Sequence, residues 1–259
     1  MVEDVKRRNT LITFSEERVK MQEVEYHREF YNKTDETEQW IRLSDGCYRD
    51  CWNCYCPKDK VWYPVPDIER NMVVLLDMNF LYAYPNPLEI IKKLGKIKVN
   101  NKVVRYDFQC GLDFTLMNKE LAIELKKGRF GRFNNKRHYE NGLRIAWDRG
   151  IDEEEVFRSS INMLKDVGYR QIQIFMLVNG KVCFDECMRK ILVLKDLRIE
   201  IGDCWFDNQK RGSIVPKYWT QEQCDIFGKI CRAHNVAIKQ NMYDALDYLY
   251  AFNKRKMDK

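Results

Sequence analysis

At 259 residues, 45% hydrophobic and 32% charged, the chain fits one large domain or two small ones and can bury a core without disulfide staples. Only 12 Gly and 6 Pro argue against long linkers, and no run of about 18 apolar residues suggests a membrane span. The net charge of +6 is a weak hint of a polyanionic partner.

The opening MVEDVKRRNTLITF carries basic residues but no apolar stretch of signal-peptide length. A cytoplasmic protein is expected, in a compartment that keeps thiols reduced. Residues 1–38 read as a charged N-terminal extension, with one helix begun at Ser15 and acids at Glu16 and Glu17. A rhythm starts at QWIRL (39–43), a short apolar strand that runs into a cysteine loop. MVVLLDM (72–78) is the second strand, followed by the helical PNPLEIIKKLG. KVVRYDF (102–108) is the third, followed by NKELAIELKKG with Asn118 as N-cap and Gly128 beyond its end. LRIAWD (143–148) leads into DEEEVFRSSINMLKDVG, which is acidic in its first turn and closed by Gly168. QIQIFMLV (171–178) precedes DECMRKILVLKDL, and RIEIGDCWF (198–206) precedes TQEQCDIFGKICRAHN. NMYDALDYLYAF is a last helical segment before a basic tail.

Strand and helix thus alternate about six times, which predicts parallel strands covered by helices. The apolar strands suit a sheet buried on both faces. A doubly wound sheet and a barrel-like sheet both satisfy this order, whereas an eight-fold barrel needs two more units. In either arrangement chemistry belongs at the C-terminal ends of the strands, where the cysteine loop lies.

That loop, SDGCYRDCWNCYCPKD, holds four of the ten cysteines, at 47, 51, 54 and 56. A disulfide framework conflicts with a reducing compartment, and a redox pair at Cys51 and Cys54 leaves Cys47 and Cys56 unexplained. Zinc is the serious competitor, although its sites commonly use two knuckles separated by a longer spacer. Three thiolates at spacing C-x3-C-x2-C suit three irons of a cubane, leaving one iron open, and Cys56 follows too closely to be needed.

Cys47-Tyr-Arg-Asp-Cys51-Trp-Asn-Cys54 resembles the signature of radical S-adenosylmethionine enzymes. Its place after a first strand, ahead of five strand–helix units, sharpens the likeness, which spans roughly residues 39–206. The resemblance implies a partial (β/α)6 TIM-like barrel as the α/β fold, with residues 207–259 as a C-terminal helical closure. It implies that Cys47, Cys51 and Cys54 hold a 4Fe–4S cluster whose open iron binds S-adenosylmethionine. Cleavage to a 5′-deoxyadenosyl radical and hydrogen abstraction from an unassigned substrate would follow, with electrons from a carrier such as flavodoxin or ferredoxin.

The remaining cofactor contacts are carried over position by position. Asp77, Met78 and Asn79 stand where many members have a glycine-rich stretch, in what looks like a D-x-N-F variant. QCGLDF resembles a Q-x-G-x-D turn and puts Gln109 and Asp113 near cofactor or substrate. Arg144 and Asp148 flank the fourth strand, where relatives contact ribose or carboxylate. FMLVNG ends the fifth strand near the usual adenine contact. Trp52 and Asn53 adjoin the third cysteine, and Asn53 replaces the aromatic that many members have there.

Three further features stand apart. The basic segment KKGRFGRFNNKRHYENG (126–142) contains Lys126, Lys127, Arg129, Arg132, Lys136 and Arg137 with Phe130, Phe133 and His138 between. It suits either a solvated loop or a phosphate-tracking, base-stacking surface. That surface motivates the alternative function, a zinc-stapled nucleic-acid-binding module without catalysis. Cys110, Cys183, Cys187, Cys204, Cys224 and Cys231 read mostly as core residues, with Cys183 and Cys187 as two buried thiols one helical turn apart. His27, His138 and His234 form no catalytic or ligand motif.

Overall fold

The computed structural model describes residues 33–49, 51, 54, 56–134, 137–206 and 217–243. The helix read from residues 15–32, and residues 244–252 of the one read from 241–252, lie outside these residues. In chain order the strands are β1 (Lys33–Thr34), β2 (Gln39–Ile41), β3 (Ser44–Asp45), β4 (Val61–Trp62), β5 (Met72–Leu75), β6 (Lys98–Val99), β7 (Lys102–Val103), β8 (Arg105–Phe108), β9 (Leu112–Asp113), β10 (Phe130–Asn134), β11 (Arg137–Tyr139), β12 (Gly142–Ala146), β13 (Gln171–Val178) and β14 (Glu200–Trp205). The helices are α1 (Phe80–Ala83), α2 (Pro87–Leu94), α3 (Lys119–Lys127), α4 (Glu154–Val167), α5 (Phe184–Asp196) and α6 (Gln221–Lys239).

Local chemistry sets the helix ends. The Asn118 side chain accepts from the Leu121 N–H at 2.9 Å and starts α3, a cap worth about 1 kcal/mol. Thr220 and Gln223 close a reciprocal capping box at the start of α6. Gly168 ends α4 at φ +104°, a left-handed position that a side chain would strain.

Two sheets carry the strands. One has the order β1-β2-β5-β8-β10-β11, the other β14-β13-β12-β9. Pairing is parallel from β2 through β10 and throughout the second sheet. The chain crosses between the sheets at Gln109–Gly111, from the end of β8 to β9. Gly111 there has φ +78°, and a Cβ on it would lie 3.2 Å from the Ala146 nitrogen, so conformation and space both favour glycine.

The mixed α/β class with parallel strands and covering helices matches the alternation, with two departures. Among the described residues no helix joins β2 to β5; the β3–β4 hairpin fills that crossover. The basic 126–142 segment forms the β10–β11 hairpin, which joins the first sheet. Its aromatics are spent on the core: Phe130 and Phe133 are buried, and Phe130 stacks on Tyr106 with centroids 4.7 Å apart. Arg132 is buried against Glu200 at 2.8 Å. Base stacking by these rings is therefore corrected to core packing; Lys136 lies outside the described residues.

The helical side is apolar. Trp147 stacks on Phe157 of α4 with centroids 4.0 Å apart, and Ile161 and Leu164 complete that face. Each such buried side chain contributes about 1.5–3 kcal/mol. The opposite face of the sheets is not fully buried. Along β13, Ile172, Ile174, Met176 and Val178 are buried while Gln173, Phe175 and Leu177 are only half-buried. The expectation of strands buried on both faces is corrected accordingly, and the half-buried face leads to the cysteine loop.

Asn179 locks the end of β13. Fully buried, it accepts from the Lys217, Tyr218 and Trp219 N–H groups at 3.1–3.3 Å and donates to the Phe206 carbonyl at 3.3 Å. Asn179→Ala is expected to cost about 2–4 kcal/mol in urea unfolding, because buried donors lose their acceptor. A loss below about 0.5 kcal/mol would refute this role.

Candidate functional site

The cysteine loop leaves β3 through Gly46, whose φ of +110° turns the chain sharply. A Cβ there would sit 3.0 Å from the Lys60 Cα, so the returning strand also demands glycine. The loop is pinned across its neck by the Cys47 N–H donating to the Pro57 carbonyl at 2.9 Å. Inside it the Cys54 N–H donates to the Cys51 carbonyl at 3.0 Å, a tight turn between two candidate ligands. Cys47 is buried, Cys51 and Cys56 are half-buried and Cys54 is exposed; all four thiols are free. Trp52 and Asn53 lie outside the described residues.

Arg49 anchors the loop. It donates to Asp113 at 2.9 Å and to both Glu153 oxygens at 2.5 and 2.7 Å. Burial opposes its charge, but the two carboxylates more than offset this and hold its pKa above the ordinary value. Asp113, expected to contact the cofactor, is occupied in structure: it also receives the Thr115 N–H and hydroxyl, and Asn79 at 3.1 Å. Tyr48 adds a hydroxyl contact to Thr115 at 2.7 Å.

Asp77 and Asn79 stand behind Cys47. The Asn79 amide donates to the Cys47 sulfur at 3.3 Å. Ser44 donates to Asp77 Oδ1 at 2.5 Å. Asp77 and Asn79 are only 2% and 4% exposed, yet Asp77 Oδ2 and Asn79 Oδ1 have no hydrogen-bond partner. Buried acceptors without a donor are costly, so each asks for a partner that the chain's own groups do not supply.

Burial pushes the Asp77 carboxyl up to about 7 from 3.8, against the opposing effects of Ser44 and Arg42. The folded chain therefore holds this proton more tightly than the unfolded chain. That contribution is complete below the unfolded pKa and is lost as pH rises through the folded one. Between pH 5 and pH 8 the wild type is expected to lose about 3 kcal/mol that Asp77→Asn retains. Urea titrations of both chains at the two pH values check this; parallel pH profiles would remove the assignment.

The thiols differ. Hydrogen bonding from Cys56, whose N–H reaches the Cys54 sulfur at 3.3 Å, lowers Cys54 to about 6. Burial, then the nearby Asp148 charge, raises Cys51 to about 11. Asp148 is itself raised by burial, while its Oδ1 accepts from the Leu177 N–H at 3.0 Å. Gln109 is exposed at the end of β8, and Met78 places its sulfur 3.8 Å from that of Cys110. Arg144, read from the resemblance as a ribose or carboxylate contact, pairs with Asp107, donates to the Phe133 carbonyl at 2.7 Å and lies 5.7 Å from the centroid of the Phe175 ring, bracing the strands in this structure.

Three residues at this end, Cys110, Cys204 and Lys190, were not assigned to the site from the sequence, which reads the two cysteines as core. Cys110 is influenced by the charges of Asp77, Cys54 and Asp148, and Cys204 by those of Asp148 and Cys110. Half-buried Cys110 is raised chiefly by burial, to about 11, whereas Cys204 is exposed, which corrects its reading as a core residue. Their positions near the C-terminal ends of strands were the available signal. Fully buried Lys190 donates to the Trp147 carbonyl at 3.2 Å and to the Arg149 carbonyl, gripping the turn that carries Asp148. Of the other cysteines, Cys187, Cys224 and Cys231 are buried, whereas Cys183 is exposed at the start of α5 and does not pair with Cys187 as a second buried thiol. His234 is buried with its ring nitrogen 2.8 Å from the Ile199 carbonyl, and His138 is half-buried on the Tyr106 carbonyl.

The donor set fits an iron–sulfur centre in its chemistry: three free thiols on one pinned loop, one of them acidic, with Asn79 donating to another. Among the described residues, no three Cys, His, Asp or Glu side chains gather closely enough to hold a single metal ion, and no helix is long and apolar enough to cross a membrane. No protein-family model, curated protein or solved structure matches the chain.

Proposed function

We propose that the chain is a radical S-adenosylmethionine enzyme on a partial (β/α)6 barrel, with Cys47, Cys51 and Cys54 as the ligands of a 4Fe–4S cluster. The observation that carries this reading is the pinned loop that presents Cys47, Cys51 and Cys54, with the Asn79 amide donating to the Cys47 sulfur at 3.3 Å. Asp77 Oδ2 and Asn79 Oδ1 are buried acceptors without a partner, and the amino group of S-adenosylmethionine is a donor of the kind each lacks. When bound, cluster and S-adenosylmethionine supply a 5′-deoxyadenosyl radical that takes a hydrogen atom from the substrate.

The chain's own residues hold and shield that chemistry. Asn79 orients the Cys47 sulfur, and Asp77 neutralises the ligand's ammonium once its own proton is released. Arg49, through Asp113 and Glu153, keeps the loop over the strand ends. Asp148 stands across from Cys51, while half-buried Phe175 and Leu177 offer an apolar wall that limits water. Anaerobic reconstitution with iron, sulfide, S-adenosylmethionine and reductant is expected to yield 5′-deoxyadenosine. Uptake of zinc alone, with no cleavage, would sink the reading.

A further inference from the structure

The turn Phe114–Leu116, the start of α3 and the first half of α4 line an open cavity of about 390 Å³. Small-molecule sites are cavities of about 300–1,000 Å³ with a mostly apolar lining and a few polar groups. Here buried Phe114 and Met117 and half-buried Met163 supply the apolar part. Two of the polar residues are already engaged: the Thr115 hydroxyl meets Asp113 and Tyr48, each at 2.7 Å, and the Asn118 side chain caps α3. Ser160 is not engaged. It is only 7% exposed, yet its Oγ has no hydrogen-bond partner among the described residues, a cost that a ligand removes. Exposed Lys119 and Glu155 add one charge of each sign, and among the described residues neither has an ion-pair partner. The N–H groups of Lys119 and Glu120 open α3 and have no carbonyl of their own helix to meet, so this end favours an anion.

We infer that this cavity binds a free α-amino acid with a large apolar side chain. The ligand's carboxylate goes to Lys119 and the opening N–H groups of α3, and its ammonium group goes to Glu155. Its side chain packs on Phe114, Met117 and Met163, whose polarizable thioethers accept aromatic and aliphatic groups alike. Ser160 adds a hydrogen bond that the free chain does not make. A carboxylate alone would face Glu155, and an amine alone would face Lys119 and the positive end of α3, so the lining selects a zwitterion. The site stands apart from the function proposed above and needs neither metal nor S-adenosylmethionine.

Isothermal titration calorimetry of the full chain tests this, with L-phenylalanine and L-methionine as probes. Saturable binding is expected. Lys119→Met and Glu155→Gln change exposed positions and should leave the chain folded, and each is expected to weaken L-phenylalanine at least about ten-fold. Ser160→Ala should weaken it about three-fold or more without lowering stability in urea, because in the free chain the hydroxyl bonds nothing. 3-Phenylpropanoate lacks the ammonium group and 2-phenylethylamine lacks the carboxylate; each should bind wild type at least about ten-fold more weakly than L-phenylalanine. Glu155→Gln should then discriminate less against 3-phenylpropanoate than wild type does, and Lys119→Met less against 2-phenylethylamine. The inference is overturned if neither amino acid shows saturable binding up to about 10 mM. Binding that Lys119→Met and Glu155→Gln leave unchanged overturns it by placing the ligand elsewhere, and so does equal affinity for L-phenylalanine and either singly charged analogue.

Discussion

Cys47→Ala, Cys51→Ala and Cys54→Ala, each reconstituted anaerobically, are expected to keep less than about one iron per chain, against about four in wild type and in Cys56→Ala. The reason lies in the loop. Cys47 is buried with Asn79 donating to its sulfur, and Cys51 and Cys54 are tied together by one backbone turn. Each thiol is presented from a different point of the clamp, so none can replace another. The Cys56 N–H donates to the Cys54 sulfur, and in the proposed ligand set Cys56 supports Cys54 from outside the cluster. The visible absorption of the reconstituted chain and its 5′-deoxyadenosine yield should fall together in the three ligand variants. Retention of iron by Cys51→Ala with loss of iron from Cys56→Ala would reassign the ligand set.

Arg49→Met is expected to lower stability by about 3–5 kcal/mol, because it leaves buried Asp113 with no cationic partner among the described residues and half-buried Glu153 with only Arg149 at 3.8 Å. The side chains of Arg49, Asp113 and Glu153 are only 9%, 5% and 14% exposed, so water cannot readily take the guanidinium's place. The triple variant Arg49→Met, Asp113→Asn, Glu153→Gln should recover much of the loss, since it removes the charges together. Urea unfolding of the single and triple variants measures this. A single variant as stable as wild type would show that the loop is held by its backbone pinning alone.

The order of elements was legible because it is local. β13 occupies the whole apolar run 171–178, and Asn118 caps α3 as its side-chain chemistry requires. The β10–β11 hairpin was not legible. Its strand pattern is masked by Gly131 and by arginine and lysine, and only pairing with β8 reveals that Phe130 and Arg132 face the interior. At the site, the spacing of Cys47, Cys51 and Cys54 was visible at once. The part played by Asp113 was not: the sequence suggested a cofactor contact, whereas the folded chain uses it to receive Arg49, Thr115 and Asn79.

Sequence alone determined the helices α2 to α6, the strands β5, β8, β12, β13 and β14, the residue that caps α3, and that three thiols share one short loop. These follow from side-chain periodicity, capping chemistry and spacing, all of which act within a few residues. Tertiary structure decided which charges meet. Arg49 lies 64 residues from Asp113 and 104 from Glu153, and Asn79 lies 32 from the sulfur it orients. Such partners are chosen by the parallel register that stacks the strand ends, and no local pattern encodes that register. The two acceptors left without donors at Asp77 and Asn79 are likewise a property of the assembled site, because a missing partner can be recognised only once every neighbour is in place.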